Sequence, residues 1–314
     1  MIGIDVGGAN LKLVDGKKVT IRYCPLWEGA PLTDQIRAYR DAHPDPDAAV
    51  VMSGELADCF GSKMEGIRRI ADSVRGVYPG AVFYGTDGTF HQEPVPQLAA
   101  ANWLAAADYL RTLYPSSVLL DIGSTTTDII PLPEFPRLLG LTDLDRLRRG
   151  YLLYTGILRT SLATQLREVT LEGVPIPVCA EQFAIAADAH LALGHISPRG
   201  YGCDTPDRSG KNVGSALRRL ARVVCADLEE IGPGAALSIA RQFWEAQRDR
   251  IREATDRVVR ECGADGVVVA GIGSSLLARE IGGRDLAREL GAVSDALPAF
   301  AVKEVALRGP GSSP

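Results

Sequence analysis

The alternation of apolar and polar residues along the chain predicts a protein in which strands and helices take turns. Short apolar runs bounded by Gly, Pro or Asp are typical of buried strands, and apolar residues three or four positions apart are typical of helices. Strands are predicted over residues 2–6, 10–14, 18–23, 48–52, 81–84, 118–121, 126–131, 174–178 and 267–272. Helices are predicted over residues 32–42, 61–74, 97–113, 153–168, 180–193, 212–230, 235–262 and 276–280. This alternation places the chain in the α/β class.

Three stretches carry no such periodicity. Residues 132–150 are rich in Pro, Leu and Arg, and we expect them to be irregular. Residues 194–214 are rich in Gly and Asp, and a loop of this length is often functional. Residues 307–314 consist largely of Gly, Pro and Ser, so we expect a frayed tail.

One short phrase occurs twice, as IGIDVGGANLK over residues 2–12 and as LLDIGSTTTDII over residues 119–130. Each is an apolar run that ends near an aspartate, followed by glycine, small polar residues and a second apolar stretch. A strand–turn–strand of this kind lets the backbone bend close to an anion. Two copies predict two related domains, residues 1–115 and 116–306, that hold one phosphorylated ligand from both sides.

The first phrase supplies a metal ligand and several phosphate donors. Asp5 emerges at the end of a strand and is a candidate Mg2+ ligand, directly or through water, because hard oxygen ligands suit this ion. The alternative is a plain β-hairpin with no ligand. The candidate phosphate-binding residues are Gly7, Gly8, Ala9, Asn10 and Lys12.

The second phrase repeats this arrangement with more hydroxyl groups. Asp121 corresponds to Asp5 and is the second candidate Mg2+ ligand. A cluster of Ser and Thr is often only a solvated turn, but its match to the first phrase favours a functional loop. The candidate phosphate-binding residues are Gly123, Ser124, Thr125 and Thr126.

A third glycine-containing turn follows a predicted strand late in the chain. Helix N-termini attract anions through unpaired amides and the helix dipole. An isolated GxG also occurs where a helix packs closely on a strand, and this alternative stays open. The candidate phosphate-binding residues here are Gly271, Gly273 and Ser274.

Other polar residues are candidates for catalysis or substrate binding. Glu55 follows a strand and is a candidate metal-water ligand or base, or else an acid at a helix N-terminus. Lys63 is a candidate phosphate ligand, although most such lysines are only solvated. Further candidate substrate-binding residues are Tyr154, Thr155, Arg159 and Lys211. Lys211 and Asp204 belong to one polar loop, which by composition alone is a surface loop.

Composition and charge argue against nucleic-acid binding and a membrane span, and they indicate a cellular compartment. The net charge of −5 and pI near 5.5 argue against nucleic acid as a partner. The longest apolar runs are strand-sized and no signal peptide precedes the first strand, so we expect neither a membrane span nor secretion. Six cysteines without CxxC spacing predict free thiols in a reducing cytoplasm, with Cys179 and Cys225 in the core.

Some catalytic motifs are missing from the sequence. The four histidines show no metal-binding spacing, and no GxSxG elbow is present. Gly210-Lys211 is not part of a Walker A motif, since the upstream glycine spacing is wrong and no Ser or Thr follows.

The two DxG hairpins and the late Gly-Ile-Gly-Ser turn resemble those of the actin, sugar kinase and Hsp70 ATPase superfamily. The resemblance implies two RNase H-like domains of the actin-like ATPase fold with a ligand cleft between them. Within it, the two phrases resemble the hydantoinase A/oxoprolinase branch. Longer segments, including VVMSGELADCFGSKMEGIRRI and VCAEQFAIAADAHLALG, resemble the tetrahydromethanopterin-linked C1-transfer pathway protein family, whose archaeal members are methanofuran-biosynthesis enzymes.

This resemblance implies a transferase that couples an (aminomethyl)furan-methyl diphosphate to the phenol of γ-glutamyltyramine and releases diphosphate. Its partners are then small-molecule substrates, and a homo-oligomer is left open. The implied roles are Mg2+ binding by Asp5 and Asp121, diphosphate binding by the loops with Lys12 or Lys63, and phenol deprotonation by Glu55 or Asp204.

Two other functions are consistent with the same motifs. One is an ATP-dependent small-molecule kinase or a hydrolase component of the hydantoinase/oxoprolinase type, and the other is a nucleotide sensor without enzymatic activity. Ala9-Asn10 stands where a threonine is common in the superfamily. The missing hydroxyl argues against kinase-like handling of a γ-phosphate.

Overall fold

The computed structural model describes residues 1–308, which form two large β-sheets, one two-stranded sheet and the helices between them. The strands are β1 (Ile2–Val6), β2 (Asn10–Asp15), β3 (Lys18–Tyr23), β4 (Ala48–Met52), β5 (Val82–Tyr84), β6 (Phe90–His91), β7 (Ser117–Ile122), β8 (Thr127–Pro131), β9 (Leu152–Leu153), β10 (Glu168–Leu171), β11 (Val174–Pro177), β12 (Gly266–Ala270) and β13 (Arg284–Asp285). The helices are α1 (Leu32–Ala42), α2 (Lys63–Arg75), α3 (Asn102–Leu110), α4 (Phe135–Leu138), α5 (Asp143–Arg149), α6 (Ala186–Ala192), α7 (Val213–Arg222), α8 (Leu228–Cys262), α9 (Ser274–Ile281), α10 (Ala287–Leu290) and α11 (Leu297–Arg308).

The two large sheets share one topology. The first has the strand order β3-β2-β1-β4-β5-β6, and the second has the order β9-β8-β7-β12-β13. In each, three antiparallel strands in sequence are followed by a crossover to parallel strands, with β4 beside β1 and β12 beside β7. This repeated order is that of the RNase H-like fold, so the predicted fold class is confirmed.

The first sheet is covered on both faces. Strands β1 and β4 are buried along their whole length, as expected for strands between two helical layers. Ile36 of α1 and Ile67 of α2 share one apolar cluster with Ile2 and Ile4 of β1. Helix α11 packs on the other face, against β1, β4 and α3.

The contact between α11 and β1 is unusually close. A Cβ atom placed on Gly3 would lie 1.9 Å from the carbonyl oxygen of Ala299, so only glycine fits at this position. The buried Lys303 reaches past the sheet and donates from Nζ to the Gly16 carbonyl at 2.8 Å. The ring of Phe300 meets Tyr109 of α3 edge-on at 5.3 Å.

The domain boundary between residues 115 and 116 stays a prediction. The strands of the first sheet precede it and those of the second sheet follow it. Helix α11, near the end of the chain, nevertheless packs on the first sheet. The chain therefore returns to the first sheet after completing the second.

The expectation that residues 132–150 are irregular is wrong, since α4 and α5 lie there. Helix α5 begins at a capping box, in which Thr142 accepts from the amide of Asp145 while the Asp145 carboxylate accepts from the amide of Thr142. It ends at Gly150, which has a positive φ of 67°. Both are sequence signals for a short helix that the density of Pro and Arg obscured.

The helix predicted over residues 153–168 is also wrong. The segment holds the end of β9 and a 3-10 turn at Leu162–Thr164, joined by irregular backbone. The amides of Ile157 and Leu158 donate to the carbonyls of Gly123 and Ser124, each at 3.0 Å. Tertiary hydrogen bonds thus replace helical ones, and apolar periodicity alone does not reveal them.

The region after residue 170 differs from its prediction in three places. The single strand predicted over 174–178 is half of the β10–β11 hairpin, which turns at Glu172 and Gly173, both with positive φ. The helix predicted over 212–230 ends at Arg222, and the next begins at Leu228 with a break at Gly232. The helix predicted over 180–193 is shorter, as α6.

The helix predicted over 97–113 is likewise shorter, as α3.

Cysteine placement corrects one further expectation. Cys225 is exposed and Cys179 is partly exposed, so neither belongs to the core. Both are free thiols, and their Sγ atoms lie 3.0 Å apart.

Within residues 1–308 no helix combines the length and the apolar character that crossing a bilayer requires. The frayed tail predicted over 307–314 lies outside the described residues, apart from Leu307 and Arg308 at the end of α11.

Replacing Gly3 with alanine is expected to lower the free energy of unfolding by at least about 1–3 kcal/mol, because the new methyl group overlaps the Ala299 carbonyl. Gly266 in β12 is the matched control, since an added Cβ there meets no atom within 4 Å. Its alanine variant should change stability by less than about 0.5 kcal/mol. Urea unfolding measures both, and equal effects would contradict the close packing of α11 on β1.

Candidate active site between two glycine loops

Two short loops lie at corresponding places in the two sheets. The first loop (residues 7–10) connects β1 to β2, and the second loop (residues 123–126) connects β7 to β8. In each, the amide of the first residue donates to the carbonyl of the last, with N···O distances of 3.0 Å and 2.9 Å respectively. The two repeated phrases therefore fold into equivalent hairpins.

The strands beside these loops also pair in equivalent register. Asp5 lies opposite Lys12 in the first hairpin, and Asp121 lies opposite Asp128 in the second. The hairpins differ in charge at this position. One carries a carboxylate and an ammonium group, and the other carries two carboxylates.

Both loops face one cavity of about 230 Å³. Its wall includes every candidate from the two phrases, together with two candidates from the segment after β9. These residues are Asp5, Gly7, Gly8, Ala9, Asn10, Lys12, Asp121, Gly123, Ser124, Thr125, Thr126, Tyr154 and Arg159. Asp5 and Asp121 thus share one crevice, as two facing hairpins predict.

Asp5 is 3% exposed, and its Oδ2 lies 3.8 Å from the Nζ of Lys12. Burial raises the pKa of Asp5, Lys12 lowers it, and the Asp128 carboxylate raises it further. The second carboxylate oxygen, Oδ1, is buried without a hydrogen-bond partner among the described residues. Burying such an oxygen costs free energy unless a cation or a hydrogen-bond donor contacts it.

Asp121 faces the same cavity from the second hairpin. Burial raises the pKa of Asp121 to about 7, and Lys12 opposes this shift. Repulsion from three other carboxylates adds to it, those of Asp128, Asp5 and Asp295. Lys12 lowers the pKa of each of these carboxylates as well. The Lys12 ammonium group therefore acts on all four acidic side chains, and Arg146 also lowers the pKa of Asp128.

Three charged residues of the cavity wall were not predicted from the sequence: Asp128, Asp143 and Arg146. Arg146 is 3% exposed, forms an ion pair with Asp128 and donates to Asp143 at 2.8 Å. Its guanidinium group lies 4.3 Å from the ring centroid of Trp103. These contacts hold α5 against β8 and leave the cavity with an excess of carboxylates.

The sequence contained a signal for one of these three residues. Asp128 follows Asp121 by seven positions, the same spacing that separates Lys12 from Asp5. In a tight hairpin this spacing places the two side chains on paired positions. No comparable signal marked Arg146, which reaches the site from the segment expected to be irregular.

The residues present fit a Mg2+ that arrives with a phosphorylated ligand. Within residues 1–308 no group of three or more metal-ligating side chains occurs, so the protein does not form a complete metal cage there. In phosphate-handling sites Mg2+ usually takes one or two carboxylates and completes its shell with phosphate oxygens and water. The unpartnered Oδ1 of Asp5 and the neighbouring Asp121 match this pattern.

The third glycine turn lies outside the cavity wall. A Cβ on Gly271, where φ is 85°, would lie 2.3 Å from the Ile122 carbonyl oxygen, and one on Gly273 would lie 2.6 Å from the Ile157 side chain. Ser274 is 2% exposed. Close packing against the end of β7, the alternative raised from the sequence, requires glycine at both positions. The role of this turn in phosphate binding stays a prediction.

Glu55 and Lys63 also lie outside the cavity wall, although Ser53 belongs to it. Glu55 is 1% exposed, and its Oε2 has no partner among the described residues. Burial raises the pKa of Glu55 to about 7, Asp143 raises it further, and Lys63 lowers it. The alternative that Glu55 caps a helix is wrong, since Ser62 caps α2.

Three other candidates lie away from the cavity wall. Asp204 is exposed and accepts a hydrogen bond from the Tyr23 hydroxyl at 3.1 Å. Lys211 is exposed, with its Nζ 5.6 Å from the ring centroid of Tyr201. Thr155 is fully buried, and its hydroxyl accepts from Gln247 at 2.8 Å, which holds the loop in place.

The segment after β9 is fixed to the second loop. The amide of Arg159 donates to the Ser124 carbonyl at 2.8 Å, next to the two similar bonds described above. Gly156 allows this contact, because a Cβ there would lie 2.6 Å from the Thr125 nitrogen. Arg159 in turn places its guanidinium group 4.5 Å from the ring centroid of Trp27, in the first domain.

The chain is thus an α/β protein of two RNase H-like sheets, whose duplicated hairpins face one acidic cavity. The chain belongs to the hydantoinase/oxoprolinase family, whose sequence profile matches residues 47–291.

Two relatives with one name indicate which branch of this family the chain resembles. The chain is 34% identical to a (4-{4-[2-(gamma-L-glutamylamino)ethyl]phenoxymethyl}furan-2-yl)methanamine synthase of Methanocaldococcus jannaschii, over 97% of both chains, and belongs to its family. A relative of the same name from Methanococcus vannielii is 36% identical over 160 residues, 51% of this chain and 72% of that one. Among solved structures, a ROK family glucokinase from Streptomyces griseus in complex with glucose and AMPPNP aligns over 98% of this chain and 99% of that one, with 15% identity and a TM-score of 0.45.

Exchange of Glu55 for glutamine is expected to change how stability depends on pH. Because the folded-state pKa of Glu55 is raised to about 7, the native protein loses stability as pH rises from about 4.5 to about 7. The glutamine variant should lack this loss and gain on the order of 1–3 kcal/mol relative to the parent over that range.

Urea unfolding at several pH values measures this difference. Glu181→Gln, at an exposed position outside the cavity wall, is the control and should follow the parent protein. If the stability of Glu55→Gln changes with pH as that of the parent does across the whole range, the pKa of Glu55 is not raised in the folded protein.

Proposed function

We propose that this protein is a transferase that couples an (aminomethyl)furan-methyl diphosphate to the phenol of γ-glutamyltyramine. The name of the relative that matches 97% of the chain describes a product with a phenoxymethyl group on a furan. Such a product contains an aryl–alkyl ether. The diphosphate leaving group is our own inference, and it is supported by the phosphate-binding character of the site.

The observation that carries the proposal is the pair of glycine loops on one cavity, each with an aspartate at the end of its leading strand. Backbone amides of such loops are suited to phosphate oxygens, because no side chain keeps the anion away. Two loops facing one another can hold the two phosphoryl groups of a diphosphate from opposite sides.

The reaction breaks the bond between the furan-methyl carbon and the diphosphate oxygen, and the electron pair leaves with the diphosphate. The phenol oxygen forms the new bond to that carbon and loses its proton. Stabilising the negative charge on the departing diphosphate is therefore the main electrostatic task. In this proposal Lys12 and backbone amides of the two loops, all from residues that line the cavity, perform this task.

Bound Mg2+ would supply further charge neutralisation at the diphosphate, held by Asp5 and Asp121. The protein's own residues do the remaining work. Lys12 lies 3.8 Å from Asp5 and keeps the acidic cavity from repelling an anionic substrate. Arg159 stands at the edge of the second loop, where it can contact the same phosphates. Orienting the phenol oxygen towards the carbon lowers the activation free energy by several kcal/mol.

The direct test is incubation with the furan-methyl diphosphate, γ-glutamyltyramine and Mg2+, followed by mass spectrometry. We expect the coupled ether and one equivalent of diphosphate. Asp121→Asn should lower kcat by at least about 100-fold while the protein stays folded, because it removes a charge that the site needs for its cation.

Asp256→Asn is the matched control, since Asp256 is exposed on α8 and lies outside the cavity wall. It should retain the parent activity. Full activity of Asp121→Asn would remove that residue from the site. Robust ATP turnover without ether formation would favour the alternative of an ATP-dependent kinase or hydrolase component.

A further inference from the structure

A second cavity opens beside the first. It has a volume of about 380 Å³ and shares Thr125, Tyr154 and Arg159 with the cavity between the loops. We call it the side groove, and its other main wall residues are Thr164, Gln165 and Arg250. The two cavities together fall in the range of roughly 300–1,000 Å³ typical of small-molecule sites. A ligand longer than the diphosphate can therefore extend from the loops into the side groove.

The side groove carries positive charge without protein counter-ions. Among residues 1–308 neither Arg159 nor Arg250 forms an ion pair with a carboxylate. Arg250 donates from Nη1 to Gln165 Oε1 at 3.1 Å, which orients its guanidinium group at the groove. A guanidinium group has five N–H donors in a planar fork that matches a carboxylate. Arg250 therefore keeps donors for an anionic ligand.

Tyr154 stands where the two cavities meet. It is 65% exposed, although the backbone on both sides of it is fixed by β9 and by the bonds to the second loop. An exposed ring on a fixed backbone is a surface for stacking another aromatic ring. A phenol lying against Tyr154 would be next to the loop that faces the diphosphate.

We propose that the side groove binds the γ-glutamyl end of the acceptor, with Arg250 paired to its α-carboxylate and Tyr154 against its phenol ring. This assignment rests on the proposed function for the identity of the acceptor. The carboxylate is the only anionic group of γ-glutamyltyramine, and Arg250 lines the side groove but not the cavity between the loops. Arg250 is then a specificity residue, and it takes no part in the chemical step.

Isothermal titration calorimetry with diphosphate and Mg2+ present tests the assignment. The two probes are γ-glutamyltyramine and N-(4-aminobutanoyl)tyramine, which lacks only the α-carboxylate. The parent protein should bind the first about 10-fold or more tightly than the second. Arg250→Gln should remove this difference by weakening only the first probe, and Arg250→Lys should restore part of it.

Arg241→Gln is the matched control, since Arg241 is an exposed arginine on the same helix and lines neither cavity. It should bind both probes like the parent. The assignment is overturned if the parent binds the two probes equally or binds neither, or if Arg250→Gln weakens both alike.

The ether assay on the same proteins separates the two proposals. Arg250→Gln should raise KM for γ-glutamyltyramine by about 10-fold or more and leave KM for the furan-methyl diphosphate unchanged. Selective binding through Arg250 without any ether product would retain the side groove and reject the proposed reaction. Ether formation with an unchanged KM in Arg250→Gln would reject the side groove and retain the reaction.

Discussion

The structure depends on one electrostatic constraint: two buried aspartates from equivalent strands face a single cavity whose wall carries more carboxylates than cationic groups. Burial and repulsion from Asp128 disfavour the charged forms of Asp5 and Asp121, and Lys12 is the cation that both share. Burying a carboxylate oxygen without a partner, as at Oδ1 of Asp5, is unfavourable in itself. In the proposed function, a Mg2+ that arrives with the diphosphate would offset this cost.

The fold produces this constraint by repeating one hairpin in two sheets of the same topology. The repeat fixes the backbone, so both loops close with an equivalent hydrogen bond, while the paired positions differ in charge. Lys12 brings an ammonium group to the first hairpin, whereas Asp128 of the second hairpin forms an ion pair with Arg146. The segment after β9 then attaches to the second loop and brings Tyr154 to the rim. The cavity between the two loops is therefore continuous at Tyr154 with the side groove, into which we propose that the acceptor extends.

The two hairpins and the fold class could be predicted because they depend on local signals, apolar runs that end at an aspartate and a glycine turn. The contributions of Arg146 and of the segment around Gly156 could not, because they arise from tertiary contacts: an ion pair across 18 positions of sequence and backbone bonds to a distant loop. Gly271 is a different case, and its role in phosphate binding stays a prediction. Its glycine is required by close packing on Ile122, which a sequence motif cannot distinguish from anion binding. Asp204 was a candidate only because it is polar, and it lies outside the cavity wall. A polar side chain by itself does not indicate where the fold will place it.

The central claim is that both loops hold one diphosphate together, and amide hydrogen exchange measures this most directly. Adding diphosphate with Mg2+ should slow exchange in residues 7–10 and in residues 123–126 at the same ligand concentration, because a single binding event orders both loops. Protection of one loop alone, or of the two loops at clearly different ligand concentrations, would contradict the account.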